Sequence, residues 1–176
     1  RRMIDLCIDA GINVIDTANT YGNQARFDRP VAPPAAQRAS AEELVGKAIK
    51  GRRSSVVLTS KVMERVGQDI NQRGLSRRHI MEQVEVSLQR LGTDHLDVYY
   101  AHHPDRATGL DETMRAFDDL IRQGKIRYCA LSTYPAWEVM EALWISNTLG
   151  SGGPVCIQVP YNLATRAPEG ELVPLC

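Results

Sequence analysis

Four ionisable residues stand at or just beyond the ends of three successive apolar segments: Asp16, Tyr21, Lys61 and His102. Burying several such groups is costly unless they pair, so packing alone does not explain their joint occurrence. Together they suit the reduction of a carbonyl group, in which hydride arrives from a cofactor and the developing alkoxide receives a proton. We therefore interpret these four residues as a candidate catalytic set.

Each member of the set has a chemical role in such a reaction. A free tyrosine is a weak acid, but the ammonium group of Lys61 would favour the phenolate and so make Tyr21 a better proton donor. Asp16 would hold Lys61 charged and in place, and His102 could donate or orient a hydrogen bond at the substrate oxygen. Taken one at a time, the same residues would suit a turn cap, a packed phenol, a solvated lysine and a core histidine.

Positioning these residues requires strands that alternate with helices. Helical periodicity and end signals, such as the capping box of Ser40 and Glu43 and the glycine at Gly92, lie between short apolar or β-branched runs. The spacing of about 30 residues is typical of βα units in a parallel sheet. The predicted strands lie near residues 12–16, 56–60, 96–101, 126–131 and 155–159.

The helices have apolar faces that the sequence pattern predicts to be buried. These faces consist of Met3, Leu6, Cys7 and Ala10 in the first helix, Ile80, Val84, Leu88 and Leu91 in the third, Met114, Phe117, Leu120 and Ile121 in the fourth, and Val139, Met140, Leu143 and Trp144 in the helix that follows Pro135.

The expected fold is α/β, a partial (β/α)8 barrel of about five consecutive parallel units that forms a single domain over residues 1–176. Strand count alone also allows an open doubly wound sheet, but no G-x-G-x-x-G motif follows any strand. Residues 24–39 are rich in Pro, Ala and Arg, and we predict that they form a surface insertion or lid. In a parallel barrel, the strand ends that carry the candidate set meet on one face.

Several segments resemble the aldo-keto reductase family. Residues 16–22, Asp-Thr-Ala-Asn-Thr-Tyr-Gly, are similar to its D-T-A-x-x-Y-G signature, and residues 59–61 to its strand that ends in the catalytic lysine. Residues 96–105 resemble its L-D-x-Y-x-x-H-x-P-D stretch, and similarity extends to residues 124–128, 131–133 and 158–163. The resemblance implies a (β/α) barrel in which Asp16, Tyr21, Lys61 and His102 occupy the catalytic positions, with Tyr21 as the proton donor.

The resemblance also implies a nicotinamide cofactor, usually NADPH, while the residues present leave NADH open. Ser132 aligns with a family serine that holds the nicotinamide carboxamide together with a following asparagine and a glutamine on the next strand. Thr133 replaces that asparagine, and a hydroxyl lacks the separate donor and acceptor of an amide. The predicted cofactor-binding residues are Asp16, Ser132, Thr133 and Gln158. By the same resemblance, the first strand and the last two strands of the family barrel lie outside the sequence, so we expect an internal fragment.

Composition argues against several other partners. Lys and Arg number 21, as do Asp and Glu, so no charge excess attracts nucleic acid or an anionic membrane. No apolar stretch approaches the roughly 20 residues that span a bilayer, and the amino end lacks the pattern of a signal peptide, so a cytoplasmic location is expected. The four widely spaced cysteines are predicted to be reduced. The expected partner is a small carbonyl substrate, and the sequence leaves the oligomeric state open.

No metal site is expected from the sequence. Of the adjacent pair His102 and His103, only His102 should reach the site, because neighbouring residues on a strand point to opposite faces. No further histidine or cysteine lies at ligand spacing, and the reaction of the family uses no metal.

Two alternatives to an enzyme stay open. One is a non-catalytic regulatory or binding module, like the channel-associated β subunits that share this fold. Those relatives tend to lose the histidine of the catalytic set, so the presence of His102 favours an enzyme. The other alternative is an inactive truncated product.

Overall fold

The computed structural model describes residues 2–25 and 28–176. Five strands pair in parallel and in chain order, β1-β2-β3-β4-β5. The sheet curls into a half-barrel, so the predicted partial (β/α)8 barrel is confirmed. The strands are β1 (Val14–Asp16), β2 (Val57–Val62), β3 (Leu96–Ala101), β4 (Ile126–Ser132) and β5 (Ile157–Gln158).

Helices connect the strands as the alternating pattern predicts. Short 3₁₀ turns lie at Ala35–Gln37, Arg53–Ser55 and Ala167–Glu169. The helices are α1 (Arg2–Asp9), α2 (Ala41–Ile49), α3 (Arg77–Leu91), α4 (Leu110–Arg122), α5 (Ala136–Leu149) and α6 (Leu172–Leu175). Among the described residues, no helix combines the length and the apolar character that a membrane crossing requires.

Local end signals explain where these helices begin and end. The amide of Glu43 donates to the hydroxyl of Ser40 at 3.2 Å, and the amide of Ser40 donates to the Glu43 carboxylate at 2.7 Å, which confirms the capping box of α2. These contacts with Ser40 lower the pKa of Glu43. Gly92 ends α3 at a φ of 64°, a left-handed conformation that glycine adopts without steric cost.

The core lies between the sheet and helices α2 to α5. The predicted face of α4 is confirmed, because Met114, Phe117 and Leu120 are at most 1% exposed. The Phe117 ring meets that of Tyr99 on β3 edge to face, with 5.8 Å between the ring centres. A helix and a central strand are thereby packed directly against one another.

The predicted face of α1 is wrong, and that of α5 is confirmed only at Val139, which is buried in the core. In α1, Met3 and Leu6 are 76% and 60% exposed, whereas the neighbouring face of Ile4 and Ile8 packs on the core. Because Ile4 and Ile8 lie one turn apart, they form a continuous apolar stripe of their own, and the period alone does not choose between two such stripes.

In α5, the buried residues are Glu138, Val139, Ala142 and Ser146. Trp144 is 67% exposed and Met140 is 47% exposed, while Ala142 and Ser146 are buried. Large apolar side chains occur on several faces of this helix, so periodicity gave no unique choice. The small side chains of Ala142 and Ser146 allow the helix to approach its neighbours closely at these two positions.

The predicted surface insertion is described except for Arg26 and Phe27, which lie outside the described residues. Arg38 joins the two ends of the segment: its guanidinium donates to the backbone oxygen of Gln24 at 2.9 Å and pairs with Asp28 at 2.8 Å. Val31 is almost fully exposed. A role of this segment as a lid stays a prediction.

The four cysteines are free thiols, as predicted. Cys129 on β4 is buried, and this burial raises the pKa of its thiol to about 12. Its environment is therefore that of an inert core residue.

Candidate active site

Asp16 and Lys61 form the ion pair that the sequence predicts. Asp16 is the last residue of β1, and Lys61 lies on β2, the neighbouring strand. The Lys61 ammonium donates to Oδ2 of Asp16 at 2.5 Å and to the backbone oxygen of Thr17 at 3.0 Å. The Lys61 side chain is fully buried, whereas that of Asp16 is 34% exposed. The pair therefore holds a buried cation with a carboxylate that reaches solvent.

The other oxygen of Asp16 accepts a hydrogen bond from a residue that the sequence analysis missed. The Thr59 hydroxyl on β2 lies 2.6 Å from Oδ1 of Asp16. The two residues are register partners in the parallel ladder, so their side chains leave the sheet side by side. Both carboxylate oxygens are thus satisfied, which fixes the orientation of the group toward Lys61.

Tyr21 is carried to this pair by the loop that follows β1. The amides of Thr17 and Asn19 donate to backbone oxygens of β2. The backbone oxygen of Tyr21 accepts from the amide of Ala41, the first residue of α2, at 2.8 Å. The loop is thereby anchored at both ends. The Lys61 ammonium lies 4.9 Å from the centre of the Tyr21 ring, within the range of a cation–π contact.

His102 completes the set from the far side of Tyr21. The amide of His102, just beyond the end of β3, donates to the backbone oxygen of Val62 at 2.9 Å. Its Nε2 lies 3.3 Å from the Tyr21 hydroxyl, and the two rings meet edge to face at 5.6 Å. The structure thus brings all four predicted residues, Asp16, Tyr21, Lys61 and His102, into one connected cluster.

A second phenol near Lys61 has a different environment. The ring centre of Tyr100 lies 5.8 Å from the Lys61 ammonium, and its hydroxyl lies 3.4 Å from Sγ of Cys156. Burial and the contact with Cys156 raise the pKa of Tyr100 well above its ordinary value. Tyr100 therefore keeps its proton more firmly than a solvated tyrosine and is a poor proton donor.

A buried polar network behind the site was not found by sequence analysis. The fully buried carboxylate of Glu42 accepts from the Ser60 hydroxyl at 2.6 Å and from Arg90 at 3.2 Å. Arg90 also donates to the backbone oxygen of Asn19, whose side-chain amide donates to Gln83 at 3.0 Å. The network ties α2 and α3 to the loop that carries Tyr21. Its members are up to 71 residues apart, so no local sequence pattern reveals it.

Two of the predicted cofactor residues are direct neighbours. Ser132 ends β4 and is the register partner of Gln158 on β5, so their side chains leave the sheet in the same direction. A hydroxyl beside an amide offers the donor and the acceptor that a carboxamide group needs. This donor set fits the predicted nicotinamide contact.

Thr133, the third predicted contact, is held in an unfavourable backbone conformation. Its φ is 58°, in the left-handed region that β-branched residues rarely adopt. Its amide donates to the backbone oxygen of Gln158 at 2.9 Å. Its hydroxyl lies 2.7 Å from Nδ1 of His103 and contacts the backbone oxygens of Ser132 and His102. The Thr133 hydroxyl is therefore already hydrogen-bonded to other groups of the protein.

The expected opposite orientation of His102 and His103 is wrong. Their rings are stacked, with 4.5 Å between the centres and 11° between the planes. The alternation of side chains applies within a strand, but β3 ends at Ala101, and the chain turns before the two histidines. His103 consequently lies beside the candidate site.

The fold and the site together define a class of protein. The ion pair, the phenol and the imidazole lie at the carboxyl ends of parallel strands, which is the active-site face of (β/α)-barrel enzymes. The family model described as "Aldo/keto reductase family" matches residues 1–176, so the chain belongs to this family.

Two relatives are similar to almost the whole chain. A protein of Oryza sativa subsp. japonica, named "Probable voltage-gated potassium channel subunit beta", is 37% identical over 179 residues. A protein of Arabidopsis thaliana with the same name is 35% identical over 179 residues. Each comparison covers 99% of this chain and 50% of the relative. The chain thus spans about half the length of these curated relatives.

Proposed function

We propose that this chain carries the proton-transfer site of an NAD(P)H-dependent reductase that converts aldehydes or ketones to alcohols. The observation that carries the proposal is the contact of 3.3 Å between the Tyr21 hydroxyl and Nε2 of His102, beside the ion pair of the buried Lys61 with Asp16. A phenol between an imidazole and an ammonium can give up its proton and regain it.

The proposed reaction assigns a separate task to each group. Tyr21 donates the proton to the substrate oxygen as negative charge develops there. His102, within hydrogen-bond distance of Tyr21, orients the same oxygen and stabilises that charge. Lys61 stabilises the phenolate that remains, and Asp16 keeps the ammonium in place in a site where it is fully buried. A preorganised charge of this kind requires no solvent rearrangement during the reaction.

A nicotinamide cofactor would be held at the same face of the sheet. Ser132 and Gln158 are register neighbours whose hydroxyl and amide match a carboxamide, and Asp16 lies at the opposite end of the same row of strand ends. When bound, the dihydronicotinamide supplies the hydride. Because Thr133 already contacts His103 and two backbone oxygens, we assign the larger role to Ser132 and Gln158.

The decisive experiment compares two tyrosines that both lie near Lys61. In Tyr21→Phe, the rate of NADPH-dependent carbonyl reduction should fall by a factor of about 10² to 10⁴, because the proton donor is lost. Tyr100→Phe is the matched control and should retain most of the rate, since the raised pKa of Tyr100 keeps it out of proton transfer. An unchanged rate in Tyr21→Phe, measured as NADPH oxidation, would contradict the proposal.

A second function, assembly with a voltage-gated potassium channel, is favoured by the names of the two relatives. Co-expression with a voltage-gated potassium channel followed by affinity purification tests the second one. If assembly is its function, the protein should co-purify with the channel equally well with and without Tyr21→Phe. Failure to co-purify would count against the assembly function only.

A further inference from the structure

Glu64, His102 and His103 form a cluster in which each residue offers one ligand atom, and these atoms lie within 4.8 Å of one another. Glu64 follows β2, and the two histidines follow β3, so adjacent strand ends bring them together. The cluster lies next to the proposed proton donor, because His102 is shared between the two sets.

The hydrogen bonds of His103 fix the direction of its ring. The Thr133 hydroxyl lies 2.7 Å from Nδ1 of His103 and donates to the backbone oxygen of Ser132 at 2.7 Å. The hydroxyl therefore accepts from His103, which places the proton of a neutral ring on Nδ1. Nε2 then presents its lone pair to Oε1 of Glu64, 3.3 Å away. A carboxylate oxygen and a nitrogen lone pair repel each other at this distance. Either a proton or a metal ion between the two atoms would remove the repulsion.

The spacing of these two atoms suits a metal ion. Zinc bonds to nitrogen and oxygen of about 2.0 Å, arranged as a tetrahedron, place neighbouring ligand atoms about 3.3 Å apart. The contact between Nε2 of His103 and Glu64 has this length. The hydrogen bond from Nδ1 of His103 to Thr133 is of the kind that orients histidine ligands in metal sites.

His102 supplies the third ligand atom. Its ring is stacked on that of His103 with 11° between the planes, so one of the two rings must turn before both nitrogen lone pairs can point at a single ion. The Glu64 side chain is 24% exposed, and a rotation of it can shorten the remaining distances to those of a bound ion. Three protein ligands leave one position of a tetrahedron open to water or substrate.

We propose that Glu64, His102 and His103 bind one Zn²⁺ ion or a divalent transition metal ion of similar preference. Two imidazoles and one carboxylate suit such ions, whereas Mg²⁺ and Ca²⁺ prefer sites built from oxygen ligands. The sequence-based expectation of no metal site assumed that His103 points away from His102. The stacked rings show that this assumption was wrong.

The proposed ion also has a consequence for catalysis, which rests on the proposed reductase function. A metal ion bound through Nε2 of His102 competes with the contact between that nitrogen and the Tyr21 hydroxyl. Bound zinc should therefore inhibit proton transfer. Metal binding itself is independent of the reaction and is measured without any substrate.

Calorimetric titration of the purified protein with ZnCl₂ tests the site. We expect one high-affinity equivalent in the wild type, and an affinity at least about tenfold lower in both Glu64→Gln and His103→Gln. His95→Gln and Glu82→Gln are matched controls at exposed ion pairs and should bind zinc as the wild type does. MgCl₂ should give no binding. Unchanged zinc affinity in both ligand variants, or no stoichiometric binding to the wild type, would overturn the proposal.

A second measurement separates this proposal from the proposed function. If the protein reduces carbonyl compounds, saturating ZnCl₂ should slow the wild type and leave the rate of His103→Gln, whatever its own value, unaffected. Stoichiometric binding that depends on Glu64 and His103 supports the metal site even if no reduction is detected. Inhibition that persists in His103→Gln would contradict the inhibitory role.

Discussion

The central strands and the edge strands of the sheet contribute to the site in different ways. In β2, the five residues from Leu58 to Val62 are all buried, and the last three residues of β3 are buried as well. In β1 and β5, no residue is buried, and Val14 is 58% exposed. The central strands therefore present Lys61 and lead to His102 from a buried environment, whereas Asp16 and Gln158 come from strands with a neighbour on one side.

The difference in burial between the central and the edge strands affects the ion pair of Lys61 and Asp16. A fully buried ammonium is costly unless a partner compensates it, and Lys61 obtains that partner from the edge strand. Because Asp16 keeps contact with solvent, the pair combines a fixed cation with a carboxylate that is only partly desolvated. The site thus depends on the contact between the buried Lys61 of β2 and Asp16 at the end of β1.

The largest expected effect concerns packing in a central strand. Leu58→Ala on β2 should lower the free energy of unfolding by about 3–4 kcal/mol, because Leu58 is fully buried and the change leaves a cavity. Val14→Ala on β1 is the control at the edge and should cost less than about 0.5 kcal/mol. Urea unfolding of both variants measures the two values. Similar losses of unfolding free energy in Leu58→Ala and Val14→Ala would show that the central and the edge strands do not differ in their contribution to stability.

The next effect concerns the buried network behind the site. Arg90→Met should cost about 2–3 kcal/mol, because the Glu42 carboxylate stays buried and loses its cation. Arg78→Met removes an exposed pair with Glu82 and should cost less than about 0.5 kcal/mol. Urea unfolding checks both. A loss in Arg90→Met as small as that in Arg78→Met would show that the network contributes little.

Much of the fold was predictable because its signals are local. The capping box of Ser40 and Glu43, the glycine that ends α3 and the apolar face of α4 each depend on residues within a few positions. The faces of α1 and α5 were not predictable from periodicity, since each helix offers more than one apolar stripe. Tertiary packing decided between the stripes.

The candidate site was predictable in part for the same reason. Asp16, Lys61 and His102 stand at or near strand ends, so locating the strands located these residues. The Glu42–Arg90 pair joins residues 48 positions apart and leaves no local trace. The position of His103 depends on where β3 ends, and strand ends are the least certain feature of a sequence pattern.

A smaller effect is expected where β4 ends. Thr133→Asn should raise the free energy of unfolding by about 1 kcal/mol, because asparagine tolerates the left-handed conformation better than a β-branched residue. Thr133→Val keeps the branching and should give no gain, which separates backbone strain from a general effect of substitution. Thermal unfolding measures both. A loss of stability in Thr133→Asn would show that the hydroxyl contacts outweigh the strain.

The smallest effect is a dependence on pH that arises from His79 on α3. Burial lowers the pKa of this fully buried histidine below its ordinary value, so the unfolded chain binds the proton more tightly than the folded one. Stability should therefore fall as the pH decreases through about 6.5, and His79→Gln should show a weaker fall. Urea midpoints at pH 7.5 and 5.5 measure this difference. His95→Gln, at an exposed pair with Asp94, is the control. If His79→Gln loses as much stability between these pH values as the wild type, protonation of His79 is not the cause of the loss.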